Sequence, residues 1–330
     1  MNIFMTVKPT FYTKTLIFSV LLALIVIVLG AYTRLSDAGL GCPDWPGCYG
    51  HISVPEKVSD TNFERPLEQG KAWKEMVHRY VAGTLGVVIL LILVMVLRKK
   101  TPVYQSKTLP IMLLLTVVFQ ALLGMWTVTL LLSPVIVSAH LVGGFTTLSI
   151  LWWLLLNQLN HQHPTSTSNG MKVFAVIGLL LIIVQILLGG WTSTNYAALA
   201  CGNDFPTCAG QWWPPMDFTS GFSIGHDSGT NYEYGVLESP ARTAIQVAHR
   251  IGAAIVFTYL LTLSIKLLGF SFGRYKAMGA MLLLLLVLQV SLGMMNVILS
   301  LPITIAVAHT LVAALLLLTM LTINYSVLKG

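Results

Sequence analysis

The sequence predicts an all-α integral membrane protein of eight transmembrane helices. They are arranged as two tandem four-helix bundles in a parallel pseudo-twofold repeat, with both termini on the cytoplasmic side (N-in/C-in). Three observations lead there. Apolar runs of about 20 residues, the length a helix needs to cross a bilayer, recur along the whole chain. Only 9% of its 330 residues are charged and its mean hydropathy is +0.79, far from the roughly 25% charge of soluble domains. The motifs of the first half also return in the second half in the same order. The runs are continuous and do not alternate, which favours helices over a barrel.

The eight runs fall at roughly 14–34, 74–97, 108–131, 135–157, 172–194, 241–267, 277–299 and 304–325. The first follows Lys8 and Lys14 and resembles a signal peptide. It is long, has no small-x-small cleavage site after it, and its downstream residues recur later, so it reads as a retained helix. Residues 35–73 and 195–240 form two long outer loops. Ser133-Pro134 and Leu301-Pro302 are tight outer turns, making spans three and four, and seven and eight, close antiparallel neighbours. The inner loop 161–170 is polar, and His161 and His163 in it read as solvated.

Charge sets the orientation. Lys8, Lys14, Arg98, Lys99, Lys100, Lys107, Lys172, Lys266, Arg274, Lys276 and Lys329 fall on one side, while all 12 acidic residues fall on or near the other. Positive-inside bias makes the first side cytoplasmic. The net charge of +7 therefore reflects topology, and no nucleic-acid partner is expected.

Each outer loop opens with two cysteines, Cys42 and Cys48, then Cys201 and Cys208. Four cysteines allow three pairings; short spacing on an oxidising face favours Cys42–Cys48 and Cys201–Cys208 over free thiols. The spacing is not that of a zinc site. Asp44, Trp45 and Pro46 match Asp204, Phe205 and Pro206 at an offset of 160 residues. V-H-R-Y-V-A-G around His78 matches A-H-R-I-G-A-A around His249, and S-A-H-L-V around His140 matches V-A-H-T-L-V around His309. The halves are 1–165 and 166–330. An even number of spans per unit gives both halves the same orientation, unlike an inverted-repeat transporter.

The odd-numbered spans share a further signature near their outer ends: L-G-A-Y-T at 29–33, Q-A-L-L-G-M-W-T at 120–127, Q-I-L-L-G-G-W-T at 185–192 and Q-V-S-L-G-M-M-N at 289–296. The small residue permits close helix approach. Gln120, Gln185 and Gln289 are buried amides in need of a partner, either as interhelical glue or as a contact to a ligand edge.

Four histidines, His78, His140, His249 and His309, lie a few residues inside spans that start on the outer side. At about 1.5 Å per residue the last three sit roughly 9–14 Å below the outer ends. Intramembrane ionisable groups point to function. Two imidazoles at equal depth on facing helices can ligate an iron from opposite sides, so duplication predicts two haem sites, His78/His140 and His249/His309. Zinc or copper fits less well with two ligands per site; a proton relay is the alternative. Arg79 and Arg250 follow the first ligand of each pair. With Arg34, Arg242 and Lys74 they are candidates for binding haem propionates, against ordinary snorkelling at the interface. Glu75 stands three residues before His78, where Gln246 stands before His249. That spacing shares a helix face, and the exchange suggests that the two sites do different work. A helix-start acid favouring the macrodipole is the alternative for Glu75.

Glu75-x-x-His78, His140, His249, His309 and the pairs Cys42/Cys48 and Cys201/Cys208, within a duplicated eight-helix chain, resemble the haem A synthase family over essentially the whole length. The resemblance implies oxidation of the C8 methyl of haem O to a formyl group, through hydroxylated intermediates, in making haem A for terminal oxidases. It implies a resident haem b at His249 and His309, the substrate haem at His78 and His140, and a catalytic Glu75. It also implies haem O synthase and an electron acceptor or donor as membrane partners. A homo-oligomer is compatible with it. The alternative is a two-haem b-type membrane cytochrome for quinol-linked electron transfer. With no arginine-rich transit leader, a bacterial inner membrane is the expected location, with the haem sites towards its extracytoplasmic side.

Overall fold

A computed structural model describes residues 10–58, 63, 65–98, 106–159, 168–225, 229–271 and 273–329. Lys8, Lys99, Lys100, His161 and His163, named above, and three of the 12 acidic residues, Asp60, Glu64 and Asp227, lie outside the described residues. The helices are α1 (Phe11–Leu35), α2 (Gln69–Arg98), α3 (Thr108–Thr129), α4 (Pro134–Leu159), α5 (Asn169–Thr194), α6 (Phe218–Gly221), α7 (Ser239–Leu268), α8 (Gly273–Ile298) and α9 (Ile303–Leu328). All but α6 are long and apolar enough to cross a membrane, and the described residues contain no strand. The chain is a multi-pass α-helical membrane protein.

The helices begin where caps are available. The Thr10 hydroxyl accepts from the Thr13 amide at the start of α1, and the Ser168 hydroxyl does so for Met171 at the start of α5. Pro134 opens α4 and Pro240 lies in the first turn of α7, where a missing N–H removes no helical bond. Helix α2 starts five residues before its apolar run, because 69–73 is helical but polar. The outer turns are built alike. Leu131 and Leu132 adopt φ of 47° and 63°, and Ser300 and Leu301 adopt 58° and 60°, a region unfavourable for L side chains. Backbone bonds close each turn, Leu132 N–H to Thr127 C=O at 2.8 Å and Leu301 N–H to Asn296 C=O at 2.7 Å.

Two four-membered rings of helices result. In one, α1 packs on α2, α2 on α3, α3 on α4 and α4 on α1; in the other, α5, α7, α8 and α9 close in the same way. The diagonal pairs α2/α4 and α7/α9 do not pack directly. Between rings, α1 meets α9, α4 meets α5, and α4 meets α9. Hydrogen bonds cross this seam: Trp152 Nε1 donates to Thr322 Oγ1 at 2.9 Å, Lys329 Nζ to Asn157 Oδ1 at 2.7 Å, and Arg34 Nη2 to the Ser193 carbonyl at 2.7 Å.

The main apolar core lies in the half of the rings remote from the long loops. Tyr12, Leu16, Ile92, Leu151, Leu263 and Ile323 are fully buried there. The long loops cover the other end. Loop 35–68 is anchored by the Cys42–Cys48 disulfide and loop 195–238 by Cys201–Cys208. Part of the second loop crosses to the first ring. There the Tyr232 amide donates to the Leu131 carbonyl at 3.0 Å, its ring packs with Leu40, Val128 and Leu132, and Glu233 pairs with Arg65 at 2.6 Å.

Candidate functional site

The histidines stand on the diagonal helices of each ring, His78 on α2 and His140 on α4, His249 on α7 and His309 on α9. The His78 and His140 rings are 6.4 Å apart between centroids and inclined at 84°. Each imidazole leans on a glycine of a neighbouring helix. A Cβ on Gly30 (α1) would stand 3.0 Å from His78 Cε1. Equivalent distances are 3.3 Å from Gly124 (α3) to His140, 3.2 Å from Gly189 (α5) to His249, and 3.1 Å from Gly293 (α8) to His309. These are the glycines of the repeated signature, and here a side chain would push on the ring.

The signature glutamines lie one turn before those glycines. Gln185 Nε2 is 3.0 Å from His249 Nδ1 and donates to the His249 carbonyl at 3.0 Å. Gln289 Nε2 is 3.1 Å from a ring nitrogen of His309. Gln120 folds over Gly143, three residues past His140, as Gln185 folds over Gly252, three past His249; the Gln120 Nε2 has no partner among the described residues. At the fourth place, one turn before Gly30, stands Val26. That exchange escapes a reading of motifs and shows only when the spans are aligned on the glycine that touches the histidine.

Glu75 is buried, 5% exposed. Its Oε2 accepts from the Cys42 amide at 3.0 Å and its Oε1 pairs with Arg79 at 2.5 Å. Arg79 also donates to the carbonyls of Asp44 at 3.0 Å and Gly47 at 2.6 Å. The second half keeps this frame with a neutral group. Gln246 Oε1 accepts from the Cys201 amide at 2.6 Å and its Nε2 donates to the Ala198 carbonyl at 2.6 Å. Arg250 donates to the carbonyls of Thr207 at 2.8 Å and Asp204 at 2.9 Å. Both arginines therefore clamp a disulfide loop over the helix that carries the histidine. Sequence could not reveal this role, because the acceptors are backbone carbonyls. Within the first loop Asp44 accepts from the amides of Tyr49 and Gly50, and burial raises the Tyr49 hydroxyl above the ordinary phenol range.

The other cations divide. Arg34 binds Tyr196, the Ser193 carbonyl and Asp37 at the seam between rings. Lys74 lies over the Tyr32 ring at 5.2 Å. The Arg242 Nε is buried without a partner among the described residues.

Among the described residues, no three of His, Cys, Asp and Glu come together as a metal cluster. A two-ligand metal fits better. Two metal–nitrogen bonds of about 2 Å, plus the distance from each nitrogen to its ring centre, total roughly 6 Å, matching the separation of the His78 and His140 rings. The Nδ1 atoms of His78, His140 and His309 are buried without a hydrogen-bond partner among the described residues. Buried ring nitrogens left unpaired are costly, and metal ligation gives the rings a use. A planar macrocycle also needs what the rings provide, diagonal helices that do not touch. The residues thus fit a bis-histidine haem.

Fold and site together define a multi-pass helical membrane protein with paired intramembrane histidines under disulfide-closed loops. Residues 13–321 match the COX15-CtaA family, described as cytochrome oxidase assembly protein, and the chain belongs to that family. It is 48% identical over 320 residues, covering 94% of each chain, to a protein of Shewanella oneidensis named heme A synthase. Proteins of the same name from Rickettsia akari and Shouchella clausii are 27% identical, over 94% and 89% of this chain and 96% and 89% of theirs.

Proposed function

We propose that the chain is a haem A synthase, an oxidoreductase that converts the C8 methyl of haem O to a formyl group. The observation that carries this reading is the facing of His78 and His140 across one ring with Glu75 beside His78, where the second ring has Gln246. In this reading the substrate haem lies between His78 and His140 in the half 1–165. A resident haem b lies between His249 and His309 in the half 166–330. When bound, the haems supply the redox chemistry.

The chain's own residues do the rest. The four histidines would hold the haems, and Gly30, Gly124, Gly189 and Gly293 let each imidazole sit against a neighbouring helix. Glu75 keeps a carboxylate within a turn of His78, where it can hold or move a proton or balance positive charge at the reacting carbon. Arg79 holds that carboxylate and the Cys42–Cys48 loop together, so the loop fixes where the charge sits. Arg34, Arg242 and Arg250 each keep a buried Nε without a partner among the described residues and are candidates to bind a propionate, while Arg79 can add only what its loop contacts leave.

The two halves are read as a parallel tandem repeat related by an axis along the membrane normal. The equivalence of the α1/α9 and α5/α4 contacts supports this. Both termini are cytoplasmic, in a bacterial inner membrane, with both haem sites towards the extracytoplasmic side. Haem O synthase supplies the substrate, and an electron partner in the membrane completes the oxidation.

The test is chemical. The purified protein is supplied with haem O in membranes, and its haems are extracted and identified by chromatography and mass. Haem A or its hydroxylated precursor is expected. Haem b alone, with haem O present, overturns the proposal in favour of a two-haem cytochrome.

A further inference from the structure

We infer that residues 230–234 of the second outer loop form a hinged strap across the mouth of the first histidine site, between the outer ends of α2 and α4, and that this strap lifts to admit and release the substrate haem. The inference rests on the reading that this haem lies between His78 and His140.

The strap is a discrete piece of chain. Gly229 and Gly235 bound it, at φ of 86° and 84°, a region that glycine enters freely and other residues rarely. Gly235 also passes close to the end of α5, where a Cβ would stand 3.2 Å from Tyr196 Cβ and 3.3 Å from the Asn195 carbonyl oxygen. Between the glycines, the Glu233 amide donates to Asn231 Oδ1 at 3.0 Å and the Gly235 amide to the Tyr232 carbonyl at 3.1 Å. These internal bonds let the segment move as one unit between two positions that can absorb a backbone change.

Its fastenings reach across the first ring. The Tyr232 amide donates to the Leu131 carbonyl at 3.0 Å, in the turn that leads into α4 and His140. The Tyr232 ring is buried against Leu40, Val128 and Leu132. Tyr234 lies beside Lys71 in the first turn of α2, seven residues before His78. Glu233 pairs with Arg65 of the first loop at 2.6 Å. The strap therefore spans from the start of α4 to the start of α2, the same diagonal on which His140 and His78 face each other.

The second site is closed in another way. Ser300 has the place of Leu131 in the α8–α9 turn, 169 residues on. It exchanges hydrogen bonds with Asn203 of its own loop, at 2.9 and 3.2 Å, and Asn203 lies within the ring closed by Cys201–Cys208. In the first loop Pro43 stands at the place of Asn203, 160 residues earlier, and its side chain can neither donate nor accept. One site is thus tied from inside a disulfide ring, the other by a strap on glycine hinges, held by one buried side chain, one ion pair and one backbone bond. A resident cofactor suits the fixed tie. A haem exchanged at each turnover suits a cover held by few contacts, which opens locally while the helices stay folded.

Haem release from the purified, haem-loaded protein to excess apomyoglobin, followed by absorbance, tests this. Two phases are expected, one per site, and His140→Ala identifies the first-site phase by lacking it. Tyr232→Ala removes the main fastening and should speed that phase several-fold. A disulfide between Leu131→Cys and Tyr232→Cys, whose backbones already meet at 3.0 Å, should slow it several-fold relative to Tyr232→Cys alone, once its closure is confirmed by mass. The other phase should keep its rate throughout. A first-site phase unchanged by both variants overturns the inference, and so does an equal change in both phases, which marks a general loosening of the fold. If His140→Ala still carries two haems per chain, no haem sits at that pair and the two-site reading itself fails.

Discussion

At the scale of single residues, the exchange of Glu75 for Gln246 supplies its own control. Gln246 shows that an amide in this position can accept from the cysteine amide above it, so Glu75→Gln should keep the Cys42 contact and lose only the charge. Arg79 would stay anchored by the Asp44 and Gly47 carbonyls. The expected outcome is a folded protein with both haems bound and haem A formation reduced on the order of 100-fold or more, read from extracted haems. Full haem A production in that variant would exclude a catalytic role for Glu75. The glycines make a second prediction. Gly124→Ala places a Cβ 3.3 Å from His140 Cε1, whereas Gly144→Ala meets nothing within 4 Å. The first should lower haem occupancy of the first site, and the second should leave it intact and raise helix stability by up to about 1 kcal/mol; haem-to-protein ratios distinguish them. The histidines, Glu75 and the cysteine pairs were legible in sequence because their chemistry is carried by side-chain identity. The arginine clamps were not, because they act on carbonyls that any residue offers.

At the scale of elements, hydropathy located all eight spans, because the bilayer requires each to be apolar for its whole depth. It placed their ends less well. The first turns of α2 are polar and the tail of α9 is tied by Lys329 to Asn157, and hydropathy sees neither. The length of the second outer loop had no explanation in sequence. Its course gives one: residues 231–235 reach the first ring and seal the α3–α4 turn that leads to His140. Glu233 is 8% exposed and its Arg65 partner 32%, so the ion pair is partly screened and contributes roughly 1 kcal/mol at most. Tyr232, 7% exposed against Leu40, Val128 and Leu132, contributes more. Limited proteolysis of the folded protein should therefore cut the second loop several-fold faster in Tyr232→Ala and only slightly faster in Glu233→Gln. Equal rates for wild type and Tyr232→Ala would show that the crossing segment is not held there. Removing the Cys201–Cys208 link, which closes a short loop, should lower stability by about 2 kcal/mol through the unfolded chain, measurable as a lower melting temperature.

At the scale of the whole molecule, the rings are divided by depth. The half remote from the long loops is filled with large apolar side chains such as Leu151, Leu263 and Ile323. The half beneath the loops holds glycines, amides and the four histidines. Cations gather at the remote end: Lys266 lies 4.3 Å from the Phe174 ring, Lys329 binds Asn157, and Arg274 binds Ser326. These contacts tie helix ends together. In the orientation proposed above they face the cytoplasm, the long loops and both disulfides lie on the oxidising side, where such links persist, and the histidine pairs sit in the outer leaflet beneath them. Single cysteines placed at exposed positions test this with a thiol reagent that cannot cross membranes. Ile52, 88% exposed in the first loop, and Trp212, 78% exposed in the second, report one side; Ser106, exposed just before α3, reports the other. Ile52→Cys and Trp212→Cys should label in intact cells, and Ser106→Cys only after permeabilisation. The reverse pattern would put the disulfide loops in the reducing compartment. Opposite results at Ile52 and Trp212 would mean that the halves do not share an orientation, and the parallel repeat would then be wrong.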